Sequence, residues 1–467
     1  MTGYRAPAQP TPSQGPAAPA EQPGENLRAA TIGGAFGYFV DMYDIYLPTI
    51  ALAPALAYFT PSSLSAGTKA IVAAMIFVAT LIGRPVGSLL FGRLADRVDR
   101  RKVTLWSVAG CGVTTLLIGL LPGYSSWGLG AVVALIVLRL IDGVFLGGEY
   151  TGAIPLAMET AGNRRRGLYG GLVSIGFPLA YCAISLLTFL TLQVAPADGP
   201  GSAYVEWGWR VPFLVGALLS GVFLWYYSRN VKESPIFQAA TKRTNPLKDV
   251  MFGRVKRSYW QVFVLMAGVW FASNMASGLL PATLTERTTL SATQITGVLV
   301  VAQFVHALCF PLFGLLVDKV GRKPFFLGCG VGVGVVSALL FAYLASGVRS
   351  GLVLVFVVTL LIRVSGASMF AVTPSYICER FPSAVRGSGF GLGYSMPLLV
   401  TAGYAYYQDW LTHLMPYAWT AVVLLVIGGV LIALGAALGP ETKDVDLDDV
   451  EGTTPGRTDR VTVGAAA

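Results

Sequence analysis

Apolar runs of membrane-spanning length recur twelve times along this chain, and that recurrence leaves few folds open. They lie near residues 29–57, 70–91, 103–121, 129–158, 167–194, 211–228, 259–284, 294–317, 324–345, 351–378, 387–410 and 417–438. A helical span needs about 20 residues to cross roughly 30 Å of hydrocarbon, and every run reaches or approaches that length. Barrel strands are shorter and alternate every second residue, which these runs do not. The pattern predicts an all-α membrane protein with twelve transmembrane helices. Charge supports it, because only 12% of residues are Asp, Glu, Lys or Arg, against about a quarter in soluble domains. A soluble enzyme of 467 residues would lack the charge to wet its surface.

The net charge is +9, and its placement explains it. The loops after spans 2, 4, 6, 8 and 10 hold 21 Lys and Arg, whereas the opposite loops and their edges hold 4 (Lys69, Arg210, Arg287 and Arg349). By the positive-inside rule both termini are cytoplasmic in a plasma (inner) membrane, and no nucleic-acid partner is needed. Five cysteines lie inside apolar runs with no ligand spacing, and two histidines are too few for a His-based metal site, so neither disulfides nor a metal are expected.

Residues 1–28 are rich in Pro, Ala, Gln and Gly and read as a disordered cytoplasmic tail. The longest polar interval, 229–258, reads as a cytoplasmic linker with a surface helix. It divides the spans into bundles at 29–228 and 259–439, ahead of an acidic cytoplasmic tail at 440–467.

The halves repeat one another. Gly92-Arg-Leu-Ala-Asp96-Arg97-Val-Asp99-Arg100-Arg101 follows span 2, and Gly314-Leu-Leu-Val-Asp318-Lys319-Val-Gly321-Arg322-Lys323 follows span 8, an offset of 222. Arg139 and Arg363 sit mid-span at an offset of 224, and Glu159 with Arg166 matches Glu379 with Arg386 at 220. The chain is a duplicated six-helix unit, and secondary transporters place their site between such halves.

The doubled Gly-x3-Asp-Arg/Lys-x2-Arg-Arg/Lys loop resembles the signature of the major facilitator superfamily. The stretches Arg84-Pro85-Val-Gly87, Gly147-Gly148-Glu149-Tyr150-Thr151-Gly152, Trp209-Arg210-Val-Pro212-Phe213, Glu233-Ser234-Pro235 and Glu379-Arg380-Phe381-Pro382 resemble its metabolite:proton symporter branch. The pair in Asp41-Met-Tyr43-Asp44 is closer to the phosphate and aromatic-acid symporters, and Asp142 stands where the metabolite branch usually has Gln. The resemblance covers about 29–440. It implies alternating access by rocking of two bundles and proton-driven uptake of a small metabolite.

Charges at mid-membrane are costly and are functional candidates by default. Asp41 and Asp44 stand i,i+3 on one face of span 1, so the spacing predicts two close carboxylates that cannot both ionise. With Glu149 they are the expected proton-coupling residues. Arg363 is the lone ionisable side chain between Gly351 and Cys378 and needs a partner from another helix or from a substrate anion. Arg139 either joins it in an anion clamp or pairs with the span 1 acids. Asp142 either pairs with Arg139 or meets substrate. Tyr43, Trp270, Asn274 and Tyr394 are expected to line the cavity. Arg84, eight residues before Gly92, is expected to snorkel toward the cytoplasm in a structural or gate-related role. The resemblance makes gates of Asp96, Arg97, Arg101, Glu159, Arg166, Asp318, Arg322, Glu379 and Arg386.

The expected function is proton-coupled import of a small organic anion, a carboxylate, by a monomer in the bilayer. The proton gradient is its energy source, and it needs no cofactor. Alternatives are a proton-coupled importer of a zwitterionic osmolyte such as betaine, or of inorganic phosphate, and, from another class, a transporter-like nutrient sensor. The chain shows no nucleotide loop, metal constellation or nucleophile–base pair, so an enzyme is not expected.

Overall fold

The computed structural model describes residues 23–61, 63–64, 66–234, 236–237, 246–347 and 351–447. Residues 1–22 and 448–467 of the expected tails, and 238–245 of the expected linker, lie outside the described residues.

Among the described residues the chain is helical, with no strand. Ten helices are long and apolar enough to span a membrane unaided. In chain order with the remaining two they are α1 (Pro23–Leu47), α2 (Ala66–Ala95), α3 (Arg100–Gly119), α4 (Leu129–Thr160), α5 (Arg166–Val194), α6 (Tyr204–Asn230), α7 (Lys256–Arg287), α8 (Ala292–Val320), α9 (Arg322–Ala345), α10 (Leu352–Arg380), α11 (386–411) and α12 (Tyr417–Leu438). The two outside the ten have clear reasons. Helix α1 carries Asp41 and Asp44 within its apolar stretch. Helix α11 runs in three pieces, Arg386–Ser395, Leu398–Thr401 and Tyr404–Leu411, and breaks where Pro397 and Gly403 interrupt it. Among the described residues, twelve such helices form two bundles of six, with a short linker helix at Pro246–Met251 between them.

The ends of α2, α4, α6, α8, α10 and α12 share one face, rich in Arg and Lys, here termed the basic face. Both ends of the described chain lie there. Tyr226 at the end of α6 donates to the Ala29 carbonyl at 3.5 Å, and Lys323 at the start of α9 donates to the Gly439 carbonyl at 3.0 Å. Helix α1 therefore begins inside the segment expected to be disordered. Residues 440–447 are likewise packed against the bundles, with Thr442 and Leu447 buried.

Helices α2 and α4 pack with their backbones in contact. A Cβ added to Gly87 would strike the Val144 carbonyl, and one added to Gly143 would strike Thr80. Small residues permit this approach, and in lipid it supplies the van der Waals contact that holds helices together. The two bundles meet along two seams related by the internal repeat, α2 with α11 and α8 with α5. On the α2 seam Ser88 donates to Ser395 at 2.9 Å.

Gly143→Val should force these backbones apart. The expected cost is roughly 1–3 kcal/mol, the usual range for overpacking, read as a lowered Tm of the detergent-solubilised protein.

Candidate functional site: a basic-face latch and an intramembrane charge system

Two symmetric ion-pair sets close the basic face. The Asp96 carboxylate accepts the Gly387 and Ser388 amides at 2.8 Å each, and Asp318 accepts the Gly167 and Leu168 amides at 2.8 and 2.9 Å. Each aspartate thus caps the first turn of a helix in the opposite bundle, where free N–H groups and the helix dipole favour a negative charge. Glu379 accepts from Arg166 at 3.1 Å and Arg322 at 2.9 Å. Its counterpart Glu159 holds Arg386 and Arg100. Residues 440–447 cover both sets: Thr442 donates to Glu379 at 2.6 Å, Arg166 donates to the Val445 carbonyl at 3.1 Å, and Arg386 donates to the Leu447 carbonyl at 3.5 Å.

Two expected gate residues stand outside this latch. Arg97 forms no ion pair among the described residues, and Arg101 turns to its own bundle, donating to the Ser228 carbonyl. Arg100 takes the place expected of them. It also donates to the Ser383 carbonyl at 3.0 Å and lies 4.8 Å from the Phe237 ring centre. The repeat carried the signal, since Arg100 and Arg322 are 222 residues apart.

Within the membrane depth of the first bundle, four buried acids accompany two buried guanidiniums. Asp41 pairs with Arg84 at 3.4 Å and accepts from the Tyr150 hydroxyl. Asp44 pairs with Arg139 at 2.8 Å and accepts from Thr115 at 2.6 Å. Asp142 pairs with the same Arg139 at 3.0 Å and accepts from Thr114 at 2.9 Å. The expectation of an Asp41–Asp44 carboxylate pair is therefore corrected. Each has its own arginine, and the acids that share one guanidinium are Asp44 and Asp142. Glu149 makes no hydrogen bond or ion pair among the described residues. Its carboxyl abuts Gly37, one turn from Asp41, in a narrow crevice with Gly34, Tyr38 and Tyr150.

Arg84 is the intramembrane residue that sequence reasoning misplaced. It is fully buried and points inward instead of snorkelling. Helical side chains lean toward their own N-terminus, and the N-terminus of α2 lies on the far side of the membrane from the basic face. Arg84 therefore leans away from that face and toward Asp41.

The second bundle is different. Arg363 is fully buried and donates to Ser277 at 2.8 Å. Its guanidinium carbon lies 5.1 Å from the ring centre of Tyr181 on α5, so it reaches the bundle interface. Its Nε and Nη2 have no partner, and no carboxylate pairs with it among the described residues. His306 on α8 contacts Ser368 at 3.1 Å.

An aromatic layer spans the two bundles. Tyr394 stacks on Tyr150 with centroids 4.5 Å apart, contacts the Tyr38 hydroxyl at 3.2 Å, and accepts at its carbonyl from Trp270 at 2.8 Å. Two further expected cavity residues lie elsewhere. Tyr43 donates to the Pro212 carbonyl inside the first bundle at 3.1 Å, and Asn274 donates to the Thr401 carbonyl inside the second at 3.1 Å.

The sequence profile of the Major Facilitator Superfamily matches residues 34–281 and again 262–457. The chain belongs to this superfamily. Its members are transporters, and the chain is one of them rather than an enzyme. Among curated relatives, the inner membrane metabolite transport protein YhjE of Escherichia coli is 30% identical over 82% of this chain and 87% of its own. The Escherichia coli alpha-ketoglutarate permease is 29% identical, over 81% and 85%. The ectoine/proline transporter of Corynebacterium glutamicum is 28% identical, over 82% and 77%. Among solved structures, a proton:xylose symporter of the superfamily aligns with a TM-score of 0.70 at 17% identity, covering 92% of this chain and 99% of that one, which establishes a shared fold.

The ion pairs on the basic face set two expected outcomes. Glu379→Gln leaves Arg166 and Arg322 without their shared carboxylate, so the latch should loosen. Maleimide reaction at the neighbouring Cys378, buried here, should rise at least about tenfold, the factor for roughly 1.4 kcal/mol, as read by peptide mass spectrometry. The second concerns Asp96, whose carboxyl is pushed by burial from 3.8 up to about 6, an effect that outweighs the opposing pull of Arg100 and of the Ser388 and Gly387 hydrogen bonds. An opened face would rehydrate it and lower that value. The closed face thus binds the proton more tightly, and its extra stability grows as pH falls through about 6 and is lost above it. A Tm increase between pH 7 and 5 that shrinks in Asp96→Asn is the expected result.

Proposed function

We propose that the protein imports a small organic anion, a carboxylate, together with protons, by alternating access across the plasma (inner) membrane. The basic face, the latch and both termini lie in the cytoplasm on this reading, which the Lys and Arg asymmetry supports.

One observation carries the anion assignment. The mid-membrane arginines Arg139 and Arg363 are repeats of one another, yet they are neutralised differently. Arg139 is neutralised by the carboxylates of Asp44 and Asp142 and leaves only its Nε unpartnered, whereas Arg363 has a serine hydroxyl, no carboxylate among the described residues, and two unpartnered nitrogens. A buried guanidinium without a carboxylate is expensive, and its planar donor fork suits a carboxylate supplied by the substrate. Arg139 is accordingly withdrawn from substrate contact and holds the acids of the proton side.

Proton coupling rests on charge balance in the first bundle. Four acids against two guanidiniums leave two negative charges in excess, and burial in hydrocarbon makes protons the natural compensation. Relatives named for alpha-ketoglutarate and shikimate support a carboxylate. Relatives named for proline, betaine and ectoine support a zwitterion, whose carboxylate would meet Arg363 while the aromatic layer of Tyr150, Tyr394 and Trp270 faced its cation.

A thermal-shift screen of purified protein against carboxylates, betaines and phosphate separates these readings. A ligand at about 100 times its Kd should stabilise by roughly 2.7 kcal/mol. The expected hit is an uncationic carboxylate, with stabilisation lost in Arg363→Ala. Stabilisation by betaine alone, unchanged in Arg363→Ala, would overturn the anion reading.

A further inference from the structure

Arg84 stands where the acids of the first bundle meet the second bundle. It pairs with Asp41 at 3.4 Å. The same guanidinium lies 4.6 Å from the ring centre of Tyr150 and 5.9 Å from that of Tyr394 on α11. Residues 84, 88 and 92 of α2 and Asp96 just past its end form one stripe at a spacing of four, and each contacts α11. Ser88 bonds Ser395, Gly92 sits against Ser388, and Asp96 caps Gly387 and Ser388. Arg84 is thus the membrane-deep end of the seam whose cytoplasmic end is the latch.

A second acid waits beside this ion pair. Glu149 has no partner among the described residues, and it is the chain neighbour of Tyr150, whose hydroxyl binds Asp41. Its carboxyl occupies the space over Gly37, one turn from Asp41. An unpaired carboxylate buried in hydrocarbon is far costlier than the neutral acid. Other ionisable or charged groups around the pair are Tyr38, Tyr150 and Tyr394, with Asp44, Arg139, Asp142, Cys111 and Tyr227 farther along the first bundle. Arg139 already carries two acids, which leaves Arg84 as the guanidinium available to both Asp41 and Glu149.

We propose that Arg84 is the positioning residue of proton coupling, a cation that changes partners between Asp41 and Glu149 and so makes or breaks the α2–α11 seam. In the closed basic face described here Glu149 holds the proton and the Asp41 carboxylate holds Arg84 over Tyr394. When the proton passes from the Glu149 carboxyl to the Asp41 carboxylate, Glu149 becomes the anion and draws Arg84 away from Tyr394, and the seam opens. One proton moves and the total charge of the three groups is unchanged. This rests on the proton-coupled reading above, yet its test uses no transported compound, so a failed ligand screen and a failed switch remain distinguishable.

Two measurements on reconstituted protein at neutral pH test it. Infrared spectroscopy reads the carbonyl stretch of protonated buried carboxyls, and hydrogen exchange reads amide protection of residues 386–395. The proposal expects a component of the protonated-carboxyl band, separate from that of the Asp44 and Asp142 pair, that is lost in Glu149→Gln and kept in Arg84→Lys. It also expects protection of 386–395 to fall at least about tenfold in Asp41→Asn, which cannot hold Arg84, and to equal or exceed that of the parent in Glu149→Gln. A merely structural Arg84–Asp41 pair would lower protection in Asp41→Asn to the same extent with or without Glu149, whereas the proposal expects the double variant Asp41→Asn/Glu149→Gln, in which no anion draws Arg84 away, to recover part of the lost protection. A protonated-carboxyl band that loses no intensity in Glu149→Gln, parental protection in Asp41→Asn, or a double variant no better protected than Asp41→Asn, would overturn the proposal. The acid variants keep the test decisive even where an Arg84 substitution fails to fold.

Discussion

Hydrocarbon gives a buried charge no water, so every ionised group at mid-membrane must find an opposite charge, a proton or a ligand. The intramembrane chemistry of this protein follows from that demand. In the first bundle acids outnumber guanidiniums, and on the proposed reading the excess is balanced by protons. In the second, among the described residues, Arg363 faces no mid-membrane acid, and on the same reading the substrate supplies one. Two copies of one six-helix unit thus hold opposite charge surpluses.

The latch works by a different rule, because it lies where the membrane ends. There, carboxylates cap helices of the opposite bundle and arginines bind glutamates in both directions. Each link is a charge-assisted bond that water can replace when the face opens. Deep links cannot be replaced in that way, which is why the deep end of the seam needs a change of partner rather than hydration.

Much of the architecture was legible from periodicity and repetition. Twelve apolar runs set the helix count, and offsets of 220 to 224 paired Asp96 with Asp318 and Glu159 with Glu379 before any contact was known. Arg363 stood out because its helix offers no acid. What escaped was partner choice across helices. The i,i+3 spacing put Asp41 and Asp44 on one face, yet facing arginines arrive from different helices, Arg84 from α2 and Arg139 from α4. Helical spacing describes neighbours within one helix and says nothing about the direction from which another approaches. The position of Arg84 also depended on side-chain lean, which follows helix polarity rather than residue depth. Arg100, and not Arg97 or Arg101, enters the latch because it is the repeat partner of Arg322, 222 residues away.

The backbone contact between α2 and α4 carries one more consequence. With Gly87 against Val144 and Gly143 against Thr80, these helices cannot slide past each other without collision. Arg84 rides on α2, and Glu149 and Tyr150 ride on α4, so their mutual register is preserved while the bundle tilts. The pair behaves as the fixed frame of a balance, and the moving parts are reduced to one long side chain and one proton. The proposed switch therefore has two of its members, Arg84 and Glu149, on one locked pair of helices, and takes only Asp41 from a neighbour, α1.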